Sequence, residues 1–127
     1  MANITLGKRP ESFKHPVKFP MLDGTVGEIT ITFKYRTRTE YGQFIDKVMA
    51  DAGIENRKGQ EKISLEALMK QSNNNSADHL MQVILDWDLE VPLSRDAVKQ
   101  LSDEQPAAAA EIMETYRVAC NEGRLGN

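Results

Sequence analysis

The sequence predicts an α+β fold, in which an N-terminal β-hairpin or small antiparallel sheet packs against about five α-helices. A strand-like segment with two-residue alternation, Glu28–Tyr35, lies near the N-terminus. Segments with apolar residues at helical spacing, with polar capping residues at several of their starts, make the C-terminal two-thirds mainly helical. A chain of 127 residues supports one core, so we expect a single domain over residues 1–127.

The hairpin is expected over residues 17–35. Val17–Phe19 alternates, and Asp23-Gly24 supplies a turn before the second strand, which reads EITITFKY. The apolar residues of that strand share one face, so we expect this face to pack against helices and the other to be wet. Residues 1–16 contain two prolines and no clear period, which indicates a loose N-terminal arm or a short edge strand.

The helical region is expected over residues 39–123. Its helices are predicted near residues 39–53, 64–70, 76–87, 94–101 and 106–122. The first is capped by Thr39, and a serine precedes several of the others. After Ser76, four apolar residues recur at helical spacing, so this helix is expected to run into Trp87. A capping box is predicted from Ser102 to Gln105, and Gly123 is the expected left-handed stop.

Charge and cysteine content exclude several classes of protein. A net charge of −3 gives no global field that would attract nucleic acid or anionic lipid. The single cysteine cannot form an internal disulfide, and no apolar run approaches the ~20 residues of a membrane span. The first residues do not resemble a signal peptide. We therefore expect a protein of a reducing cytoplasm, without nucleic-acid or membrane partners.

Residues with catalytic or metal-binding chemistry are sparse. The two histidines, His15 and His79, lie in the proline-flanked arm and in a helix first turn, and no catalytic triad is legible. Asp86 and Asp88 have neither the spacing nor the companions of a metal site. Cys120 falls on an apolar helical stripe, as a small buried hydrophobe would. We expect no catalytic residues, no metal and no cofactor, and therefore not an enzyme.

Two groups of residues are candidates for binding a partner protein. Lys34, Arg36 and Arg38 alternate where the strand gives way to a helix, and they could form a docking edge for an acidic partner or simply a solvated strand face. Trp87 and Leu89 lie where the predicted helix breaks. They could form a second docking corner, or Trp87 could be the core anchor of a small domain.

The order of these features resembles the tail assembly chaperones of long-tailed bacteriophages and prophages, small proteins encoded just before the tape measure protein. The resemblance lies in the basic junction ITFKYRTRTEY, the amphipathic helix and polar loop after it, and the segment VILDWDLEVPLSRDAVKQLSDEQPAAAAEIMETYRVACNEGRLGN. It covers most of the chain from about Ile29 onward.

The resemblance implies a binding function in viral tail morphogenesis, without catalysis. Chaperones of this family coat the tape measure protein, keep its long helical segments soluble and recruit tail tube subunits. They act in the host bacterial cytoplasm and are absent from the finished virion. In many relatives a ribosomal frameshift adds a C-terminal extension that engages the tail tube protein. The end of this chain at Asn127 would suit the unextended product.

Other functions compete with this hypothesis. The chain could be a structural phage component, such as a minor tail protein or head–tail connector, in which case it would be present in purified particles. A small hydrolase or transferase is disfavoured by the scarcity of histidine and cysteine, and a nucleic-acid regulator by the acidic net charge. Exposed sheet edges and apolar helix faces would permit self-association.

Overall fold

The computed structural model of the chain describes residues 6–7, 9–51 and 75–123. The strands are β1 (Ser12–Pro20), β2 (Val26–Lys34) and β3 (Ile84–Trp87), and the helices are α1 (Arg38–Asp51), α2 (75–83), α3 (Arg95–Glu104) and α4 (Pro106–Glu122). The sheet is antiparallel with strand order β1-β2-β3. These elements confirm the α+β class. The described residues contain four helices rather than about five, and the helix predicted at residues 64–70 lies outside them.

The hairpin of β1 and β2 is closed by the predicted turn. Its register is continuous from Ser12 opposite Lys34 to Pro20 opposite Val26. Gly24 has a φ of 86°, a conformation that glycine adopts without steric cost. An oxygen of the Asp23 carboxylate accepts hydrogen bonds from the Thr25 backbone N–H at 3.0 Å and from its hydroxyl at 2.6 Å. Side-chain bonding of this kind is a frequent device of aspartate in turns.

Strand β1 begins at Ser12, inside the segment expected to be a loose arm or a short edge strand. A proline in its middle is tolerated because Pro16 lies opposite Thr30, whose backbone groups face away from β1. The Thr30 N–H donates to the Asp88 carboxylate at 3.0 Å, and the Thr30 carbonyl accepts from the Asp88 N–H at 3.2 Å. The pair of Pro16 and Thr30 therefore needs no hydrogen bond across the hairpin, and β1 can form the edge of the sheet.

The helix predicted to run from Ser76 into Trp87 is shorter in the structure. Helix α2 ends at residue 83, and the chain continues directly as β3, whose pairing with β2 contains a bulge. The bulge lets both Ile84 and Trp87 face the core although they are three residues apart, while Leu85 between them is 51% exposed. A bulged strand thus has the same buried spacing as one turn of helix, which explains why the prediction was wrong here.

Some of the helix caps predicted from the sequence are present in the structure. Helix α1 begins with a reciprocal capping box between Thr37 and Glu40, so Thr37 rather than Thr39 is the cap. Ser94 caps α3 as predicted, because its hydroxyl accepts from the Ala97 N–H at 3.1 Å. Gly123 ends α4 in the predicted left-handed conformation, with a φ of 69°.

The capping box predicted from Ser102 to Gln105 does not form. Helix α3 continues to Glu104, so Ser102 lies inside it, and its buried hydroxyl has no hydrogen-bond partner within the part of the chain that the structure describes. Gln105 alone separates the two helices and precedes α4 without a side-chain cap. Pro106 then occupies the first turn of α4, where a backbone N–H is not needed.

The core lies between one face of the sheet and the helices. Its sheet residues are Val17, Phe19, Ile29, Ile31, Phe33, Ile84 and Trp87, and its helical residues are Phe44, Ala77, Leu80, Val83, Val98, Ala108, Ala109, Ile112 and Tyr116. The other face of the hairpin carries lysines and threonines that are exposed or half-buried. This arrangement confirms the expectation of one packed face and one wet face.

Gly27 approaches the Phe19 side chain so closely that any larger residue would displace the ring. It lies opposite Phe19 on β1, and the Phe19 ring occupies the space beside its Cα. A Cβ at position 27 would lie 2.6 Å from Cζ of Phe19. An aromatic ring packed over a glycine in the neighbouring strand is a recurrent way to fill that space.

Candidate partner-binding surfaces

The predicted basic cluster divides into one inward and two outward side chains. Lys34 ends β2 and Arg38 begins α1, and both are exposed. Arg36, between them, turns inward, and its Nη1 donates to the Gln82 carbonyl at 2.9 Å and to the Tyr116 hydroxyl at 2.8 Å. The three cations therefore do not present one continuous basic edge. Lys34 and Arg38 are the ones available at the surface.

Arg36 is held by aromatic rings as well as by hydrogen bonds. Its guanidinium carbon lies 4.2 Å from the centroid of the Phe44 ring, within the range of a cation–π interaction. The Tyr116 hydroxyl, which accepts from Arg36, donates in turn to the Lys34 carbonyl at 2.8 Å. These contacts join β2, α1, α2 and α4. Arg36 thus helps to hold the fold together at this junction.

Tyr116 is the centre of the aromatic cluster. Its ring centroid lies 5.7 to 6.3 Å from those of four other rings, Phe13, Phe33, Tyr41 and Phe44. Burial raises the pKa of Tyr116 well above its usual value, so the hydroxyl stays protonated and can donate. The hydroxyl contacts of Tyr116 were not predicted from the sequence. The signal was present, because a tyrosine among buried aliphatic residues needs a partner for its hydroxyl.

His79 and Cys120 lie beside this cluster and are half-buried. The His79 ring meets Phe44 edge-on, with the centroids 5.0 Å apart. Burial and the charge of Arg36 lower the pKa of His79, which favours the neutral imidazole. Burial raises the pKa of the Cys120 thiol, which disfavours the reactive thiolate. Within residues 6–7, 9–51 and 75–123, no group of three potential metal ligands comes together.

A small cavity opens where β1, the β2–α1 connection and the end of α4 meet. Its volume is about 270 Å³, and it is lined by Pro10, Phe13, Tyr35, Arg36, Ala119, Cys120 and Gly123. Pockets for drug-sized ligands are usually ~300–1,000 Å³. The cavity is slightly smaller than this, and its lining is mostly apolar.

The second candidate surface surrounds β3. We use "β3 corner" for residues Leu85–Val91, the strand end and the loop after it. Trp87 is 7% exposed and packs in the core, and its ring N–H donates to the Val91 carbonyl at 2.8 Å. Leu89 is 37% exposed. Of the two residues predicted here, Trp87 anchors the corner from within and Leu89 lies at the surface.

The two surfaces lie at different positions along β2. Lys34 is at its end, whereas Trp87 and Asp88 lie beside Ile31 and Thr30. Lys34 lies four positions after Thr30 along the strand, a distance of about 13 Å at ~3.3 Å per residue. The basic junction and the β3 corner are therefore neighbouring but distinct surfaces.

Comparison with known protein families decides the identity of the chain. A model of the phage tail assembly chaperone family matches residues 1–127. The chain belongs to this family. The match extends over the whole length and confirms the family that the sequence resembles. No curated protein and no solved structure matches the chain.

For a tail assembly chaperone, surfaces that bind other proteins are the sites of interest. Lys34, Arg38 and Leu89 are exposed side chains of this chaperone on which a partner could dock. Arg36 and Trp87 point toward the interior and stabilise the backbone near these residues, since Arg36 donates to the Gln82 carbonyl and the Trp87 ring N–H donates to the Val91 carbonyl. No helix in the described part of the chaperone is long and apolar enough to cross a membrane.

Proposed function

We propose that this chaperone binds the tape measure protein of its phage or prophage and aids the recruitment of tail tube subunits, without catalysis. The observation that carries the proposal is the family match over residues 1–127. The chaperone would act in the host bacterial cytoplasm and be absent from the mature virion. Tail tube protein would be engaged directly or through an extended form of the chain.

The physical character of the surface supports a binding role. The core is formed by one sheet face and the helices, yet several large apolar side chains remain at the surface, among them Leu89 and Met49. Exposed apolar groups suit the temporary covering of a client that is insoluble on its own. Methionine is unbranched and polarizable, so it can adapt to successive segments of a non-uniform client.

Co-expression with the adjacent tape measure protein tests the proposal. The chaperone and the tape measure protein should co-purify as a soluble complex in affinity pull-down and size exclusion, whereas the tape measure protein expressed alone should precipitate. A Lys34→Glu/Arg38→Glu variant tests the basic junction. Lys18→Glu/Lys47→Glu, at two exposed positions on β1 and α1, is the control of equal charge change. Weaker capture with the first variant alone would support the basic junction as a docking edge for acidic residues.

Two results would count against the proposal. If the tape measure protein stays insoluble and unbound when the chaperone is present, the chain does not act as its chaperone. If mass spectrometry of purified particles finds the chain in stoichiometric amounts, it is a structural component, such as a minor tail or connector protein.

A further inference from the structure

The β3 corner gathers exposed apolar side chains in an unusual way. The described residues include seven large hydrophobic side chains that are exposed, and three of them, Leu85, Leu89 and Val91, fall within this seven-residue segment. Their exposed fractions are 51%, 37% and 57%. A concentration of exposed apolar groups marks a binding surface more often than scattered ones do.

The backbone that displays these side chains is held in place from two directions. The Trp87 ring N–H donates to the Val91 carbonyl, which closes the loop. Asp88 bonds Thr30 twice, through its own N–H and through its carboxylate, which fixes the start of the loop to β2. A loop that is already ordered loses little conformational entropy when a partner binds. The corner is therefore preorganised for docking.

The charges of the corner are all of one sign. Asp86, Asp88 and Glu90 are exposed and alternate with the apolar positions, and residues 85–94 contain no lysine or arginine. The nearest arginine in sequence, Arg95, is paired with Asp78 at 2.8 Å. An acidic and apolar surface repels acidic segments and nucleic acid, and it also repels the same surface of a second copy. It complements a partner that carries lysine or arginine beside apolar residues.

The bulge in β3 disfavours docking by strand addition. It sits at Leu85 and interrupts the regular ladder of backbone groups that an added strand would need. A helix docks through its side chains instead, with apolar residues on one face and cations along the border of that face.

We propose that the β3 corner docks a cationic amphipathic helix of the chaperone's client. Leu85, Leu89 and Val91 contact its apolar face, and Asp86 and Glu90 pair with the lysines or arginines beside that face. The proposal rests on the proposed function for the identity of the client, and it adds the surface and the chemistry of the bound segment.

Two synthetic peptides test the chemistry without the client. One is an amphipathic helix of leucine and lysine, the other has glutamate at each lysine position, and both carry a fluorophore for anisotropy titration. The lysine peptide should bind and the glutamate peptide should not. The Leu89→Ser/Val91→Ser variant should bind the lysine peptide at least about tenfold more weakly, equal to ~1.4 kcal/mol. Leu22→Ser/Val26→Ser, at the exposed hairpin tip, is the control.

A second pair of variants tests how much the acidic side chains of the β3 corner contribute to binding of the lysine peptide. Glu90→Lys should weaken binding of the lysine peptide, whereas Glu111→Lys, which makes the same charge change at an exposed position on α4, should not. Added salt should weaken binding to the unmodified chaperone, because exposed charges are screened. The proposal would be overturned if Leu89→Ser/Val91→Ser and Leu22→Ser/Val26→Ser bound the lysine peptide equally well. It would also be overturned if Glu90→Lys and Glu111→Lys did so. Thermal melting of every variant verifies that it is folded.

Capture of the tape measure protein by the same variants separates this proposal from the proposed function. If the unmodified chaperone captures the tape measure protein and Leu89→Ser/Val91→Ser does so equally well, the corner is not the docking site, while the proposed function stands. If the lysine peptide binds at the corner but the tape measure protein is never captured, the proposed client is wrong and the docking surface stands. Binding of a second copy at the corner would appear in light scattering as a dimer that the serine variant loses, and it would overturn the assignment to a client.

Discussion

Replacement of Tyr116 by phenylalanine removes the hydroxyl that joins α4 to the β2–α1 junction and leaves the ring in place. Two hydrogen bonds are lost: the one that the hydroxyl donates to the Lys34 carbonyl and the one that it accepts from Arg36, both of 2.8 Å. A neutral hydrogen bond contributes ~1 kcal/mol to stability and one to a charged group ~1.5–3 kcal/mol. We therefore expect Tyr116→Phe to lower the free energy of unfolding by about 3 kcal/mol.

Urea denaturation followed by circular dichroism measures this loss. With an m-value of about 2 kcal/mol per molar urea, the unfolding midpoint should fall by roughly 1.5 M. Tyr35→Phe is the matched control, because Tyr35 is only half-buried, and it should change the free energy of unfolding by less than ~0.5 kcal/mol. Equal small effects of the two substitutions would refute the assigned function of the Tyr116 hydroxyl.

A double-mutant cycle isolates the contact between Tyr116 and Arg36. Arg36→Met keeps an apolar side chain beside Phe44 and removes the guanidinium. If the two groups interact as the distance indicates, Tyr116→Phe should cost less in the Arg36→Met background, with a coupling of at least ~0.5 kcal/mol. Strict additivity of the two substitutions would show that the hydrogen bond does not contribute to stability.

Three further substitutions test other parts of the structure. Trp87→Ala should cost about 3–5 kcal/mol in urea denaturation because the ring is buried, and an unchanged midpoint would contradict its position in the core. Gly27→Ala should cost ~1–3 kcal/mol by displacing the Phe19 ring, and a neutral effect would show that the ring moves freely. In the folded protein the pKa of His79 is lowered from its usual value of 6.5, so the unfolded chain binds more protons at this residue than the folded chain does. The free energy of unfolding should therefore fall as the pH drops from about 7.5 to 5.5. His79→Gln should reduce this pH dependence, and an identical pH dependence in both proteins would exclude His79 as its source.

The parts of the fold that depend on neighbouring residues could be predicted from the sequence. The alternation of β2 and the turn at Asp23-Gly24 are local patterns, and both appear in the structure. The cap at Ser94 and the stop at Gly123 are local in the same way. In each case the physical requirement, a backbone conformation or a terminal hydrogen bond, is met within four residues.

The errors arose where distant residues decide the structure. Residues 84–87 have the apolar spacing of a helix, but the free edge of β2 pairs with them as a bulged strand. The direction of Arg36 depends on Tyr116 and on the Gln82 carbonyl, which lie 80 and 46 residues away in the sequence. The sequence identified Trp87 and Leu89 as a pair. It could not show that one of them supports the other from inside the core.

The outer edge of β1 affects how this chaperone behaves at high concentration. The backbone N–H and C=O groups of Thr30 face β3. Pro16 lies opposite Thr30 on β1, so the backbone of Pro16 faces outward, away from β2. The backbone of Pro20, four residues later on β1, faces outward for the same reason. Two of the positions that would donate a backbone hydrogen bond to an incoming strand are therefore prolines, which have no N–H. The exposed side chains of Lys14 and Lys18 lie on either side of Pro16 along the same strand. Prolines and lysines at a sheet edge oppose the stacking of one molecule on the next into amyloid-like aggregates. The protein can therefore accumulate in quantity without polymerising through this edge.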